Sequence, residues 1–489
     1  MGSPAEKQTA PKTAISPRRD EDFSGWYHEV IRAAQMAENA PVRGCMTIKP
    51  YGYRIGELIQ AQLDSMIKDE GVENAYFPLL IPVSYLAKEA EHIEGFAPEC
   101  AVVTHHRLEK GEDGQLVPAA PLSEPLIVRP TSETIIGEAY ANWIQSYRDL
   151  PLKINQWGNV MRWELRTRLF LRTSEFLWQE GHNVFETEEQ ADADARRILE
   201  VYASLYEDYF AMPVMRGEKT ADERFPGAIH SYTVETMMQD GKALQSCTSH
   251  NLGQTFSRSA EIKFQNREGQ EVYAWTTSWG LSTRSIGGMI MTHGDDDGLI
   301  CPPRLAPHQV VILPIPKKGE EDSAVMDFAD KVEREIKNAS FRVLVDRSDD
   351  RAPDKMWRWI KKGAPIRMEV GPREAEEGVV TAVRRDLGKA SKQSVSLENL
   401  AQWVQEQLDE MHGNLYQIAR KRLEGNTFEA NDCAGIAEYY REGGTGFIRA
   451  PVAVLDDPQF QDLKKEYAIT PRCMPFEDEG RKVVIGKSY

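Results

Sequence analysis

A chain of 489 residues has room for two or three domains and a large core. Its 41% hydrophobic and 28% charged residues are ordinary globular composition. A net charge of −17 with a pI near 5.2 argues against nonspecific binding of polyanions, though it leaves room for a local basic site. No apolar run approaches the roughly 20 residues that span a membrane. The N-terminal string MGSPAEKQTAPKTAISPRRDED has no apolar core of a secretion signal and reads as a disordered tail over 1–20. Six cysteines (Cys45, Cys100, Cys247, Cys301, Cys433, Cys473) are scattered without a C-x-x-C pair, which points to a reduced, cytoplasmic setting.

In chain order, 23–40 reads as a helix closed by Asn39 and Pro41. Residues 53–71 have helical periodicity, with Ile55, Leu58, Ile59, Leu63, Met66 and Ile67 on one side and Gly71 as the stop. AYFPLLIP (75–82) reads as a short apolar strand, and Pro78 puts it at a sheet edge where a second subunit can meet it. Residues 126–129 form a strand, after which Thr131 caps a helix running through SETIIGEAYANWIQSYRDL. A strand at 153–163 follows, then a helix at 187–210 opened by a Thr187–Gln190 capping box. Further strands fall at 229–238 and 272–279, and an apolar helix lies within 280–298. Hairpins outnumber βαβ crossovers, so the core sheet is expected to be antiparallel. After CPPRLAP (301–307) the pattern changes to alternating strands and helices: QVVILPI, helix 323–338, FRVLVD, helix 354–362, IRMEVG and GVVTAVRR. A long charged helix at about 397–424 and a less regular tail complete the chain.

The chemistry-bearing residues fall in four clusters. RWELRTRLFLRTSEFLWQEGH (162–182) places Arg162 and Glu164 at a strand end, a basic loop next, then Arg172 and Phe176. A fixed guanidinium can hold a phosphate or carboxylate bidentately, and an aromatic ring can stack a purine. The alternative is a solvated hairpin with scattered charges. RPTSE sets Thr131 and Glu133 where a strand gives way to a helix, and a buried carboxylate there needs a cation beside it. QSCTSHNLG (245–253) carries Gln245, Thr248 and His250 without apolar alternation, like the wall of a site. SWGLSTRSIGG brings Ser282 and Arg284 to a helix start, where Arg284 can close on a purine opposite Phe176. Singly, helix capping or an ordinary salt bridge explains each. Residues 341–395 hold 13 Lys+Arg against 9 Asp+Glu, the one long stretch suited to facing phosphates.

NAYFPLL, RWE…RTSEF and GLSTR resemble the three motifs of class II aminoacyl-tRNA synthetases. KPYGYRIGE, RPTSE, TSHNLGQ and SWGLSTR resemble prolyl-tRNA synthetases of the archaeal/eukaryotic-like type, from about residue 23 to the C-terminus. The resemblance implies an α+β catalytic domain on a class II antiparallel sheet (21–303), an α/β anticodon-binding domain (304–405) and a small α+β C-terminal domain (406–489). It implies a proline–tRNA ligase that activates L-proline with ATP and Mg²⁺, releases pyrophosphate and passes the prolyl group to the 3′-end of tRNA(Pro). Carried over, Thr131, Glu133, Arg162, Trp178 and His250 would bind proline. Arg162, Glu164, Arg172, Thr173, Phe176, Gln245, Thr248, Ser282 and Arg284 would bind ATP, with Gln245 touching magnesium and Arg162 and Arg284 catalytic. Arg347, Glu369 and Arg373, with Arg384 and Lys389, are candidates for reading anticodon bases. Class membership also implies a cytoplasmic homodimer.

Two departures shape further expectations. Many relatives carry four zinc-binding cysteines in the C-terminal domain, where this chain has only Cys433 and Cys473, with His412 nearby in sequence. Two thiolates cannot close a tetrahedral site, so no zinc is expected, and Phe447, Ile448, Val452, Val454, Leu455, Ile469, Val483, Val484 and Ile485 must hold the domain. Some bacterial relatives insert an editing domain between motifs 2 and 3. Here the interval between Phe176 and Arg284 is filled by predicted elements, so cis-editing is expected to be absent. For the terminal tyrosine, Tyr489, both an anchored structural end and a carboxylate reaching toward the active site, as in relatives, are open. Two rival functions remain at this level: a paralogue charging a carrier other than tRNA, and a non-catalytic RNA-binding relative.

Overall fold

The computed structural model describes residues 13–87, 97–316 and 323–489. They form two compact units, one from 39–47, 56–288 and 416–489, the other from residues up to Glu38, 48–55 and 289–415.

The first unit is organised by an eleven-stranded sheet. Its order is Thr427–Glu429, Phe447–Pro451, Lys482–Gly486, Thr470–Pro475, Met215–Glu218, His230–Met237, Ala243–Gly253, Trp275–Ser282, Glu175–Phe185, Leu152–Met161 and Glu73–Asn74. Pairing is antiparallel except at the two ends, as the hairpin-rich sequence predicts. The helix Glu188–Asp208 covers one face. Tyr202 donates to Gln179 Oε1 at 2.8 Å, and Asp194 accepts from Asn183 at 2.8 Å and Thr277 at 3.1 Å. Thr187 caps it through the Gln190 amide, but the Gln190 side chain takes the N–H of Glu186, so the expected capping box is half formed. Because strand side chains alternate, Phe176, Trp178, Glu180 and His182 all point to the opposite face. Gly181 makes this packing possible: a Cβ there would meet the Trp279 ring at 2.0 Å.

Several sequence expectations are corrected. The helix predicted over 23–40 stops at Ala33, because Gln35 turns left-handed (φ +57°) and Met36 N–H returns to Ile31 O at 3.0 Å, a Schellman stop without glycine. The 53–71 helix begins earlier, at Pro50, and ends at Asp69 with Gly71 at φ +77°. The 75–82 segment is not one strand. Glu73–Asn74 edges the large sheet and Leu80–Pro82 joins Pro121–Val128 and Ala101–His105 in another, with Pro78 between them. Ser132, not Thr131, occupies the N-cap of Glu133–Trp143. That helix ends well short of Leu150, the chain turning instead through a capping box on Ser146. The whole of Ala243–Gly253 is strand, the polar 245–253 run included.

The C-terminal residues are regular, contrary to expectation. The helices Cys433–Arg441 and Pro458–Tyr467 pack with four strands around Ile448, Val454, Ile469, Val483 and Ile485, while Phe447 and Val484 join Met237 and Ala243. Strand Thr470–Pro475 pairs with Met215–Glu218, which fuses this region into the main sheet. Gly217 permits the approach: a Cβ would lie 2.5 Å from Met474 O. Tyr489 is anchored, its N–H donating to Ala243 O at 3.1 Å and its hydroxyl to Asp240 at 2.5 Å.

The second unit contains a five-stranded sheet, ordered Val343–Val345, Val310–Pro314, Ile366–Val370, Val379–Arg384 and Gln393–Ser396. Its first three strands are parallel and the rest antiparallel. Ser323–Asn338 and the start of Leu400–Gly425 pack Val325, Phe328, Val332, Leu400 and Val404 against it. The short helix Pro372–Glu377 and the strand Gln393–Ser396 were not anticipated. The tail expectation fails for 13–20: Ile15 is buried and Arg19 pairs with Asp296 at 3.2 Å. Residues 1–12 lie outside the described residues. No helix among the described residues is long and apolar enough to cross a membrane.

Candidate active site

The exposed face of the large sheet forms a cleft of about 340 Å³. Its floor is set by register. His182, Ser278, His250 and Ser231 lie side by side across four strands, and Gln156, Glu180, Gly280, Thr248 and Thr233 form the neighbouring row. Thr131, Glu133, Arg162, Phe176, Trp178, Gln245, Thr248, His250, Ser282 and Arg284 all line this cleft. A smaller cavity of about 200 Å³ is lined by Glu164, Arg172 and Thr173 and shares Arg162, Phe176, Ser282 and Arg284 with the first. Every predicted proline or ATP residue thus borders one of these two cavities.

Glu133 is buried and accepts from the Thr131 hydroxyl. Arg162 Nε donates to Pro130 O at 2.8 Å, and its guanidinium lies 5.6 Å from the ring centroids of both Phe176 and Trp178. Burial pulls the Arg162 pKa below its ordinary value, opposed by the charges of Glu133, Glu99 and Glu180. Arg284 Nε donates to Leu171 O at 3.2 Å; burial and the charges of Arg172 and Arg162 depress its pKa too. The two arginines that disfavour the charge of Arg284 create a field there that an anion would relieve. In the loop between strands, Glu164 faces Arg172 at 3.6 Å and Thr173 donates to Glu175 O at 2.7 Å.

His250 Nδ1 lies 2.8 Å from Ser231 Oγ and its ring stacks on Phe225 at 4.8 Å. Burial, then the charge of Lys219, lower its pKa to about 3, so the imidazole is neutral at physiological pH. In the floor of the cleft, Glu180 accepts from Gln156 at 3.0 Å and from Ser132 N at 3.2 Å, and lies 3.0 Å from His182 Nε2. Burial would raise the Glu180 pKa, yet His182, Ser132 and Gln156 together hold it below its usual value. Burial would lower that of His182, but the bond to Glu180 and the charges of Glu133 and Glu180 raise it.

Sequence reasoning missed Glu180, His182, Lys219, Glu223, Arg224 and Phe225, which also line the cleft. The string KTADERFPG held a signal, a ring flanked by charges before a Pro-Gly turn. Lys219 pairs with buried Glu235 at 3.5 Å, and Glu235 accepts from Arg472 at 3.0 Å.

In the second unit the anticodon candidates separate by environment. Arg384 is buried against Asp386 and also paired with Glu410, which removes it as a base reader. Arg347 pairs with Asp330 and Glu333, Glu369 with Lys392, and Arg373 is exposed beside Glu374. Trp359 is core, its indole donating to Asp346 at 2.7 Å, while Trp357 is exposed.

An antiparallel sheet with arginines and an aromatic ring on its open face is the architecture of a class II synthetase core. A family model described as "tRNA synthetase class II core domain (G, H, P, S and T)" matches residues 119–293, and one described as "Anticodon binding domain" matches 309–407. The proline–tRNA ligase of Bdellovibrio bacteriovorus is 50% identical over 486 residues, covering 97% of both chains. That of Rhodopirellula baltica is 51% identical over 489 residues, covering 98% of this chain and 96% of its own. A crystal structure of prolyl-tRNA synthetase from Cryptosporidium parvum, complexed with halofuginone and AMPPNP, superposes with a TM-score of 0.88 at 36% identity, covering 97% and 99% of the two chains. The chain belongs to the prolyl-tRNA synthetase family and acts as a proline–tRNA ligase.

Proposed function

We propose that the cleft carries out proline activation, with the amino acid held at the Glu133–His250 end and ATP at the Phe176–Arg284 end. The gathering of half-buried Arg162 and Arg284, with exposed Arg172 next to them, beside the buried carboxylate of Glu133 carries this reading. Glu133, braced by Thr131, offers a countercharge to the secondary ammonium of proline, and neutral His250 adds no repulsion. Trp178 and Phe225 provide apolar walls for the ring. Arg162 reaches the carboxylate, and the Phe176 ring is available to the adenine.

The proline carboxylate is already ionised, so its attack on the α-phosphate needs no general base. Rate enhancement then comes from alignment and from Arg162 and Arg284 facing charge that develops on the phosphate oxygens. Glu164, Arg172, Thr173, Gln245, Thr248 and Ser282 complete the nucleotide-binding set. Mg²⁺ usually keeps several waters and substrate phosphates as ligands, so the single amide oxygen of Gln245 fits a metal that arrives with the nucleotide. When bound, the ion would neutralise phosphate charge. The second step passes the prolyl group to the 3′-hydroxyl of tRNA(Pro), with Arg347, Glu369 and Arg373 of the second unit as candidate base contacts.

Finer assignments follow the same reading. For the archaeal/eukaryotic-like type, the near-complete superposition on the Cryptosporidium parvum enzyme is the support, while the bacterial relatives named above, at 50–51% identity, point the other way. Boundaries at 21–303, 304–405 and 406–489 are retained as functional domains. The C-terminal region needs no zinc, since Cys433 and Cys473 sit in different apolar clusters and burial with Glu235 nearby pushes the Cys473 thiol up to about 12. Cis-editing is absent, because Phe176 to Arg284 is spent on the sheet and its covering elements. Exposed Tyr76, Pro78, Leu80 and Val83 mark the homodimer surface, in a cytoplasmic enzyme. Proline-dependent ATP–pyrophosphate exchange is the decisive measurement; ATP binding without any such exchange would refute the cleft assignment.

A further inference from the structure

Arg472 lies 237 residues from its partner Glu235 in sequence, in the C-terminal strand Thr470–Pro475. Its Nε and Nη2 donate to Glu235 Oε2 at 3.1 and 3.0 Å, while Nη1 donates to Thr470 Oγ1 at 3.0 Å. Glu235 is fully buried; its other oxygen accepts from Thr233 at 3.0 Å and faces Lys219 Nζ at 3.5 Å. Lys219 lines the cleft. It is held by its backbone too, its N–H donating to Ser231 O at 2.8 Å. Ser231 Oγ meets both the Phe225 amide, at 3.1 Å, and His250 Nδ1. Lys219, Phe225 and His250 therefore share one support, whose far end is a guanidinium contributed by the C-terminal region.

Two cations on one carboxylate leave a net positive charge, and the fork of Arg472 fixes which way that carboxylate faces. Without Arg472, Glu235 is free to turn and draw the lysine away from the pocket wall. We infer that Arg472 is a positioning residue for the amino-acid end of the cleft, acting through Glu235 on Lys219. The C-terminal region is thereby part of the proline pocket's framework. This inference rests on the assignment of the Glu133–His250 end to proline.

The test is steady-state ATP–pyrophosphate exchange on the full chain. Arg472→Met should raise the proline KM on the order of tenfold while the ATP KM stays within about twofold, the pattern of lost ground-state positioning rather than lost active enzyme. Arg472→Lys, which keeps the charge but not the fork, should fall between it and the parent. Arg449→Met, which breaks ion pairs to Glu477 and Asp478 in the same region, should leave both constants unchanged. A fall in kcat with the proline KM unmoved, or equal rises in both KM values, would overturn the inference. If Arg472→Met does not fold, Arg472→Lys decides by the same proline-versus-ATP criterion. Glu133→Gln separates the two layers: a raised proline KM there without one in Arg472→Met rejects the relay alone, whereas no change in either rejects the pocket assignment.

Discussion

Two groups of cations around the large sheet, one half-open and one buried, behave oppositely. At Arg284 the positive charges of Arg172 and Arg162 add to the penalty of burial. At Lys219, Glu235 and Arg472 a fully buried carboxylate stands between the cations and accepts from both. The first arrangement is poised for a polyanion that comes and goes. The second is complete within the chain and suits a permanent support.

The largest blow to this contrast comes from the crowded side. Arg162→Ala should lower pyrophosphate exchange by roughly 10²–10³-fold, the scale of losing a donor aimed at developing charge, while the melting temperature falls little or rises. A marked loss of stability there would mean that Arg162 is also a brace. On the closed side the order reverses. Glu235→Gln leaves two buried cations without their countercharge, so unfolding in urea should show a loss of about 3–5 kcal/mol; retention of full stability would erase the distinction.

Titration sharpens the picture further. His250 has a folded pKa of about 3 against an ordinary 6.5, so the unfolded chain binds its proton first. Its contribution is intact above pH 6.5 and drains away as pH falls toward 3, at a slope of up to about 1.4 kcal/mol per unit for one proton. His250→Gln should flatten stability measured across that window, and an unchanged slope would show that the imidazole is not the group responsible. The smallest effect is expected away from the cleft: Arg373→Ala should weaken tRNA charging by about 1–3 kcal/mol in binding terms and leave exchange untouched.

The cleft was legible because its residues come in short strings. Glu133, Arg162, Phe176, His250 and Arg284 each sit in a local pattern that sets charge or a ring at a strand or helix end, and alternation brings them to one face. Glu235 and Arg472 gave no such signal, since the carboxylate and its arginine meet only through the pairing of Met215–Glu218 with Thr470–Pro475. The antiparallel sheet and the helices 323–338 and 187–210 followed from periodicity. Helix ends were less readable: Gln35 adopts a left-handed turn without being glycine, and Ser132 gives its hydroxyl to Glu180 instead of the helix it precedes. Arg384 was a candidate base reader because arginine suits guanine edges; Asp386 and Glu410 claim it only in three dimensions.

The glycine at 181 has a practical bearing. With Trp279 seated where a methyl would go, even alanine there would push strands apart under the catalytic face. Efforts to retune the enzyme toward analogues of its amino acid should hold that position fixed and vary the cleft-lining side chains, since the backbone beneath leaves no slack.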